Sequence, residues 1–243
     1  MTADDAGTRF PEFHERLISA VLPSGAREGL ALAGCYALRA HGLTDRPCAD
    51  LRFAVAADEP LPEVARAMSA AWEEAGFEVS PGEAGPRAIR LLVTEPVVTP
   101  PLPGRTCEIT LLGESPLRPA ARRDDLPVVS VEDAASAAVR ALHDRGLAID
   151  LIDVAALSTV FSFRELEGLA RARDDAFSLH ELVMRLEFAA LIADPDFTAH
   201  GITEDQTHEI RRFAYTWAED IKLRRTEDGD LDEPNFDLPT IDD

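Results

Sequence analysis

The sequence predicts an α+β protein in which a mixed sheet with flanking helices is followed by a helical bundle. Up to about residue 129, short apolar runs lie between turns rich in glycine and proline, which is typical of strands. From residue 130 onward the chain shows only helical periodicity, with repeated capping pairs. We therefore expect an α/β domain over 1–129, a helical domain over 130–225 and an acidic disordered tail over 226–243.

The elements of the first half follow from hydrophobic periodicity and turn residues. The predicted bounds are a helix over 10–22, strands over 29–33 and 51–56, a short helix over 36–41 between them, a helix over 60–76, an edge strand over 77–80, and strands over 88–94 and 105–112. Four prolines between residues 95 and 104 predict a loop. Short strands with one crossover helix indicate a mixed sheet covered by helices.

Helix starts in the second half carry a hydroxyl side chain followed three residues later by an acidic or amide side chain. These pairs are Ser130 with Asp133, Ser162 with Glu165, Ser178 with Glu181, and Thr203 with Gln206. They predict helices over 131–145, 148–160, 163–173, 179–192 and 204–224, which together form a bundle. After Thr226 the sequence is acidic without Lys or Arg, so we expect disorder there.

Charge and cysteine content restrict the class of protein. The chain of 243 residues has a formal net charge of -21, so RNA or DNA binding would require a local basic patch. Its three cysteines lack metal-ligand spacing, and their odd number argues against a secreted disulfide framework. The N-terminus lacks the apolar core of a signal peptide, and no apolar run could span a bilayer. We expect a protein of the reduced cytoplasm without membrane association.

The stretch over 30–55 contains the main candidate site. It reads as strand, glycine turn, short helix, loop and strand, with Gly34 after the first strand and Asp50 before the second. A glycine lets the backbone approach a ligand closely, and the free amides at a helix start favour phosphate. Strand alternation places Asp50 and Arg52 on one face.

Each of these candidates also has a structural interpretation. Asp50 is either a metal ligand or a solvated residue at a strand start. Arg52 binds a phosphate, points into solvent, or pairs with Asp50 or Glu108 and fills a metal position; we favour the ion pair. Glu108 and Thr110 share one face of the later strand.

Three further features have two interpretations each. Cys35 lies at a helix start, where a thiolate is favoured, but a small buried residue is the better interpretation. Asp150 and Asp153 lie one helical turn apart and could face a cleft, while Asp150 also suits the first turn of its helix. Two basic clusters either guide a nucleotide or RNA or are solvated. They are Arg118, Arg122 and Arg123 in a loop, and Arg211, Arg212, Lys222, Arg224 and Arg225 on the last helix.

Four stretches of the sequence resemble the AbiEii/AbiGii toxin-type nucleotidyltransferases of the DNA polymerase β-like superfamily. They are LALAGCYALRAHGL (30–43), DRPCADLRF (45–53), CEITLL (107–112) and VRALHDRGLAIDLIDVAAL (139–157). The resemblance covers roughly residues 10–225. It implies a nucleotidyltransferase-like fold in which carboxylates from two strands hold a divalent metal that positions an NTP, and a Lys and an Arg lie near the phosphates. It also implies a toxin that transfers a nucleotide to RNA or protein and is paired with an antitoxin.

The family pattern is only partly kept in this chain. Gly34 and Asp50 match, and Glu108 lies two residues before the expected acid of the later strand. Five positions depart from the second glycine, the second carboxylate, the later acid, the Lys and the Arg of the pattern: Cys35, Arg52, Thr110, Ala138 and Ile149, respectively.

Two hypotheses follow from the resemblance and these departures. The first is a pseudoenzyme that needs no cofactor and binds a nucleotide or an antitoxin-like protein partner. Its nucleotide-binding residues would be Gly34, Cys35, Arg52, Thr110 and Asp150. The alternative is an active enzyme that uses Mg²⁺ and an NTP to modify RNA or protein, with Asp50 and Glu108 as catalytic residues and metal ligands.

Overall fold

The computed structural model describes residues 10–22, 29–56, 59–96, 104–123 and 125–227. The first half contains α1 (Glu12–Val21), β1 (Leu30–Ala33), α2 (Gly34–Ala40), β2 (Leu51–Val55), α3 (Leu61–Glu74), β3 (Glu78–Ala84), β4 (Ala88–Thr94), β5 (Thr106–Gly113), β6 (Ala121–Arg123) and β7 (Leu126–Val128). The second half contains α4 (Val131–Arg145), α5 (Ala148–Leu157), α6 (Phe163–Arg171), α7 (Leu179–Phe188), a 3₁₀ turn (Ala189–Leu191), α8 (Asp194–Thr198) and α9 (Glu204–Glu227).

The strands form one seven-stranded mixed sheet in the order β3-β4-β5-β2-β1-β7-β6. β2 is antiparallel to β1 and parallel to β5, and β1 is parallel to β7. In this register Arg52 lies opposite Ala33 on one side and Thr110 on the other. The predicted α+β class, with a mixed sheet, flanking helices and a helical C-terminal region, is therefore confirmed.

Alternation along β2 separates the two faces of the sheet as expected. Leu51, Phe53 and Val55 are buried, while Arg52 and Ala54 are partly exposed on the opposite face. α3 packs on β3, β4 and β5 and contacts α1, and the indole N–H of Trp72 on α3 donates to the carbonyl of Leu17 at 2.9 Å. The apolar face therefore anchors the sheet, and the other face is left for a site.

Four elements of the structure differ from the sequence prediction. The region after β5 forms the hairpin of β6 and β7, which was not predicted. The edge strand β3 continues past residue 80 to Ala84 through an irregular register, which an edge position tolerates in spite of Pro81. The helix predicted over 179–192 ends at Phe188 and is followed by the 3₁₀ turn and α8. α9 extends to Glu227, and the remainder of the predicted tail, 228–243, lies outside the described residues.

The helical half packs around α4 and α9. α4 contacts α2, α5, α6 and α7, and α9 contacts α5, α7 and α8. In its interior Trp217 is fully buried, stacks on Phe163 and donates to Glu167 at 2.9 Å. Within the described residues no helix has the length and apolar character required to cross a membrane.

A buried histidine joins α1 to α2 and makes the stability of the fold sensitive to pH. His14 is 7% exposed, and its Nδ1 lies 2.6 Å from the hydroxyl of Tyr36. Burial lowers the pKa of His14 more than nearby Asp50 raises it, and burial also raises the pKa of Tyr36. The phenol therefore keeps its proton and donates to a neutral imidazole.

We expect the free energy of unfolding to fall as the pH is lowered through about 6.5, the ordinary histidine value, towards the depressed pKa of His14. The unfolded chain takes up a proton there that the folded chain excludes, so the unfolded state is favoured. Urea unfolding at intervals between pH 7.5 and 5.5 measures this slope. His14→Gln should flatten it, while His180→Gln, at an exposed histidine, should leave it unchanged. An equal slope in His14→Gln would contradict the assignment.

Candidate functional site

A cavity of about 420 Å³ lies between the open face of the sheet and helices α4 and α5, within the usual size range of small-molecule sites. Its sheet side is formed by β1, β2 and the end of β5, and its helical side by α4, α5 and the segments that follow β5 and α6. Three residues of the predicted nucleotide-binding set line it: Gly34, Arg52 and Asp150. Ala138 and Ile149, which replace the family Lys and Arg, line it as well.

Gly34 begins α2 directly after β1 and has a φ of +61°, which favours glycine. A Cβ added to Gly34 would lie 2.8 Å from Cδ of Arg52 and 3.4 Å from its Cγ. The space over this glycine is therefore already occupied by the aliphatic part of the Arg52 side chain. In this chain it is the Arg52 side chain of β2, and not a ligand, that lies close to the backbone of Gly34.

Arg52 is held at this position by an ion pair. Its Nε donates to Oδ2 of Asp50 at 2.7 Å, and both side chains are partly exposed, at 34% and 24%. The predicted ion pair of Arg52 is confirmed, and the partner is Asp50. The carboxylate of Asp50 is therefore neutralised by its own neighbour on the strand.

Glu108 and Thr110 lie on β5 but do not line the cavity. Thr110 is buried opposite Arg52 in the β2–β5 register. Glu108 is exposed and lies opposite Leu92 of β4, one residue before the Leu51–Ile109 pair that begins the β2–β5 register. The predicted strand face is confirmed for both residues. Glu108 nevertheless lies outside the cavity.

Cys35 is buried, as expected for a small interior residue, but it is not a free thiol. It forms a disulfide with Cys48 in the loop before β2, across a Cα separation of 5.8 Å. One pair of cysteines is therefore bonded, although the odd cysteine count argued against a secreted disulfide framework. Cys35 does not line the cavity. The remaining thiol, Cys107, is buried, and burial raises its pKa to about 12, so it is a poor nucleophile at neutral pH.

Asp150 and Asp153 both line the cavity, as their helical spacing suggested. Asp150 is 2% exposed, accepts from the backbone N–H of Leu147 at 3.1 Å and is paired with the guanidinium of Arg145. Asp153 accepts two hydrogen bonds from Arg46, at 2.8 and 2.9 Å. Burial raises the pKa of Asp153, and the bonds from Arg46 oppose that increase. Asp150 thus has both roles that were considered, a cleft residue and a residue that stabilises its helix start.

A charge cluster at the other end of the cavity was not predicted as part of the site. Asp133 is 4% exposed and pairs with Arg173, which also pairs with Glu114. Arg140 donates to Glu114 at 2.9 Å. Only the helix-start pattern at Ser130 and Asp133 was visible in the sequence, where the Ser130 hydroxyl accepts from the Asp133 amide at 3.0 Å.

These residues do not fit a divalent metal. Magnesium requires several carboxylate or other oxygen ligands at one point, and among the described residues no group of three or more His, Cys, Asp or Glu side chains is arranged to hold an ion. Asp50 is engaged by Arg52, and Glu108 is outside the cavity. Each of the four acids that line the cavity is paired with an arginine: Glu114, Asp133, Asp150 and Asp153.

Comparisons with known proteins identify the fold. No family model matches the chain, and no curated protein matches it. A Helicobacter pylori protein named as a candidate nucleotidyltransferase superposes with a TM-score of 0.58 at 15% identity, covering 88% of this chain and 99% of that one. JHP933 from Helicobacter pylori gives 0.54 at 15%, covering 93% and 100%.

MenT4, a nucleotidyltransferase toxin from Mycobacterium tuberculosis, superposes with a TM-score of 0.59 at 16% identity, covering 90% of this chain and 89% of the toxin. The similarity therefore extends over nearly the whole length of each neighbour and includes both the sheet and the helical half. This chain has a nucleotidyltransferase-like fold, of the kind also found in a toxin.

Proposed function

We propose that this protein is a pseudoenzyme of the AbiEii-like nucleotidyltransferases, which binds a nucleotide in the cleft and has lost metal-dependent transfer. The observation that carries the proposal is the position of Arg52. Its side chain covers Gly34 and its guanidinium is paired with Asp50. A cation thus stands where the family pattern requires the second carboxylate of a metal site.

Nucleotide binding is supported by the shape and charge of the cavity. Its volume of about 420 Å³ suits a small ligand. Five arginines and four acids line it, so its wall has a slight excess of positive charge in a chain that is otherwise strongly acidic; the arginines are Arg52, Arg118, Arg122, Arg145 and Arg173. Guanidinium groups form paired hydrogen bonds with phosphate oxygens. An anionic ligand therefore has binding partners here that do not depend on a metal.

Equilibrium binding of ATP and UTP in EDTA tests this function, together with a transfer assay that uses radiolabelled NTPs, Mg²⁺ or Mn²⁺, and total RNA. We expect nucleotide binding in EDTA and no label transferred to RNA or to protein. Ala138→Trp should abolish binding because the indole fills the cavity lined by Ala138. Ala199→Trp, at an exposed position after α8, is the matched control and should bind normally.

The alternative function is an active nucleotidyltransferase in which Asp50 and Glu108 hold Mg²⁺ and the NTP. It would require Asp50 to exchange Arg52 for the metal. Metal-dependent transfer by the unmodified protein that is abolished by Asp50→Ala would establish this alternative and overturn our proposal. Failure of the unmodified protein to bind any NTP in EDTA would also contradict the proposal.

A further inference from the structure

The cavity lacks the two helix-borne cations that the family pattern places near the phosphates. Ala138 of α4 and Ile149 of α5 stand at those positions, and both line the cavity. Neither side chain can balance a phosphate charge. If a nucleotide binds here, which is the function proposed above, the counter-charge must therefore come from another part of the cavity wall.

Three of the five arginines in the wall are already neutralised by short ion pairs. Arg52 is paired with Asp50, and Arg145 with Asp150. Arg173 is shared between Glu114 and Asp133 and is largely buried. Carboxylates of the protein already balance the charges of these three arginines, so they add little net positive potential for a ligand.

The other two arginines keep most of their charge available. The Arg118 side chain is 68% exposed, and its nearest carboxylate contact is a distant one to Glu132 at 3.9 Å. The guanidinium of Arg122 donates to the backbone carbonyl of Asp125 at 2.6 Å, and none of the ion pairs among the described residues involves it. A carbonyl oxygen holds the group in place without cancelling its charge.

The backbone that carries these two arginines is fixed. The amide of Arg118 donates to the carboxylate of Asp133 at 3.2 Å. Arg122 lies in β6, opposite Pro127 of β7, and β7 pairs with β1 in the main sheet. Both arginines therefore line the cavity from segments tied to its wall, which reduces the entropy lost on binding.

The wall contributed by α4 consists of small apolar side chains. Four alanines of this helix line the cavity: Ala134, Ala137, Ala138 and Ala141. Methyl groups can pack against a flat ring, but they offer no hydrogen bond that would distinguish one nucleobase from another. The arginines can therefore bind the charged phosphates, while the alanines of α4 pack against the base without selecting it.

We propose that Arg118 and Arg122 are the phosphate-binding residues of this cavity and that they recognise the polyphosphate of a nucleotide without selecting its base. In the family pattern a metal ion and two helix-borne cations bind the phosphates. Here Arg118 and Arg122 would bind them instead. The ligand class is a nucleoside triphosphate of any base, and the shared recognition element is the triphosphate itself.

Binding of ATP, GTP, CTP, UTP and inorganic triphosphate in EDTA tests the proposal on the full-length protein. We expect the four nucleotides to bind within about threefold of one another and inorganic triphosphate to compete with them. Arg118→Glu and Arg122→Glu should each weaken ATP and triphosphate binding by about tenfold or more, the effect of losing a charge-assisted hydrogen bond and adding repulsion.

Arg123→Glu is the matched control, because Arg123 is the exposed neighbour of Arg122 on β6 and does not line the cavity. It changes the charge of the protein by the same amount and should bind ATP within about twofold of the unmodified protein, since successive side chains of a strand point to opposite faces. Circular dichroism establishes that each variant is folded.

The outcomes separate this proposal from the function on which it rests. If the unmodified protein binds ATP but Arg118→Glu and Arg122→Glu bind it equally well, the phosphate assignment is wrong and nucleotide binding stands. The assignment is also wrong if inorganic triphosphate does not compete, or if one nucleotide binds far more tightly than the others. If the unmodified protein binds neither ATP nor triphosphate, both proposals fail.

Discussion

Replacing Asp133 with alanine should lower the free energy of unfolding by about 3–5 kcal/mol, the usual cost of removing one partner of a buried ion pair. The Asp133 carboxylate is 4% exposed and accepts from the backbone amides of Leu117 and Arg118 at 2.8 and 3.2 Å. It also pairs with Arg173. Its loss leaves two backbone donors without an acceptor and Arg173 with only one of its two carboxylates.

Glu132→Ala is the control for this measurement, because Glu132 is the adjacent acid in the first turn of α4 and its one described ion pair is the 3.9 Å contact to Arg118. Partly exposed pairs of this kind contribute about 0–1 kcal/mol. Urea unfolding of both variants at pH 7 compares them directly. If Asp133→Ala costs no more than Glu132→Ala, the charge cluster does not hold this end of the cavity together.

Arg52→Asp should create a Mn²⁺ or Mg²⁺ site at Asp50, where we expect the unmodified protein to bind no metal. At about 4 Å and an effective dielectric of 20, one pair of unit charges is worth about 4 kcal/mol, so Arg52 opposes a divalent ion by about 8 kcal/mol before screening. Arg52 is about one-third exposed, so solvent reduces this figure. Even a third of it, about 2.7 kcal/mol, corresponds to roughly a hundredfold in affinity.

The matched control for this substitution is Arg90→Asp. Arg90 lies on β4, opposite Thr110 of β5. It is at the same level of the sheet as Arg52 and two strands away from it. Arg90→Asp changes the net charge by the same amount as Arg52→Asp, but Arg90 lies about 10 Å from β2. Calorimetry or Mn²⁺ electron paramagnetic resonance should detect an ion only in Arg52→Asp. Metal bound tightly by the unmodified protein through Asp50 would contradict the position we assign to Arg52.

Periodicity was sufficient to predict the larger elements. β2, α3 and β4 have long apolar stripes, and their bounds lie within one or two residues of the prediction. The hairpin of β6 and β7 was missed because its strands have three residues each and contain Arg122, Arg123 and Pro127. No alternation can be read from so few residues, and β7 is ordered by pairing with β1 almost a hundred positions earlier.

The candidate site was predictable where a local pattern or the family resemblance marked it. Gly34, Arg52 and Asp150 were found in this way, and all three line the cavity. Glu114 and Arg173 were not found, because they pair across 59 residues of sequence and follow the ends of β5 and α6. The Cys35–Cys48 bond was missed for a related reason: its formation depends on the path of the loop over 41–50, which the spacing of cysteines does not specify.

The strand order has a consequence for synthesis of the chain on the ribosome. β2 is hydrogen-bonded to β1 and β5, and β5 emerges roughly sixty residues after β2. At about 5–20 residues per second this delay is about 3–12 seconds, much longer than a hairpin needs to form. During that interval β1 and β2 lack the strands that flank them in the finished sheet, β7 and β5, and unpaired strand edges are templates for association with other nascent chains.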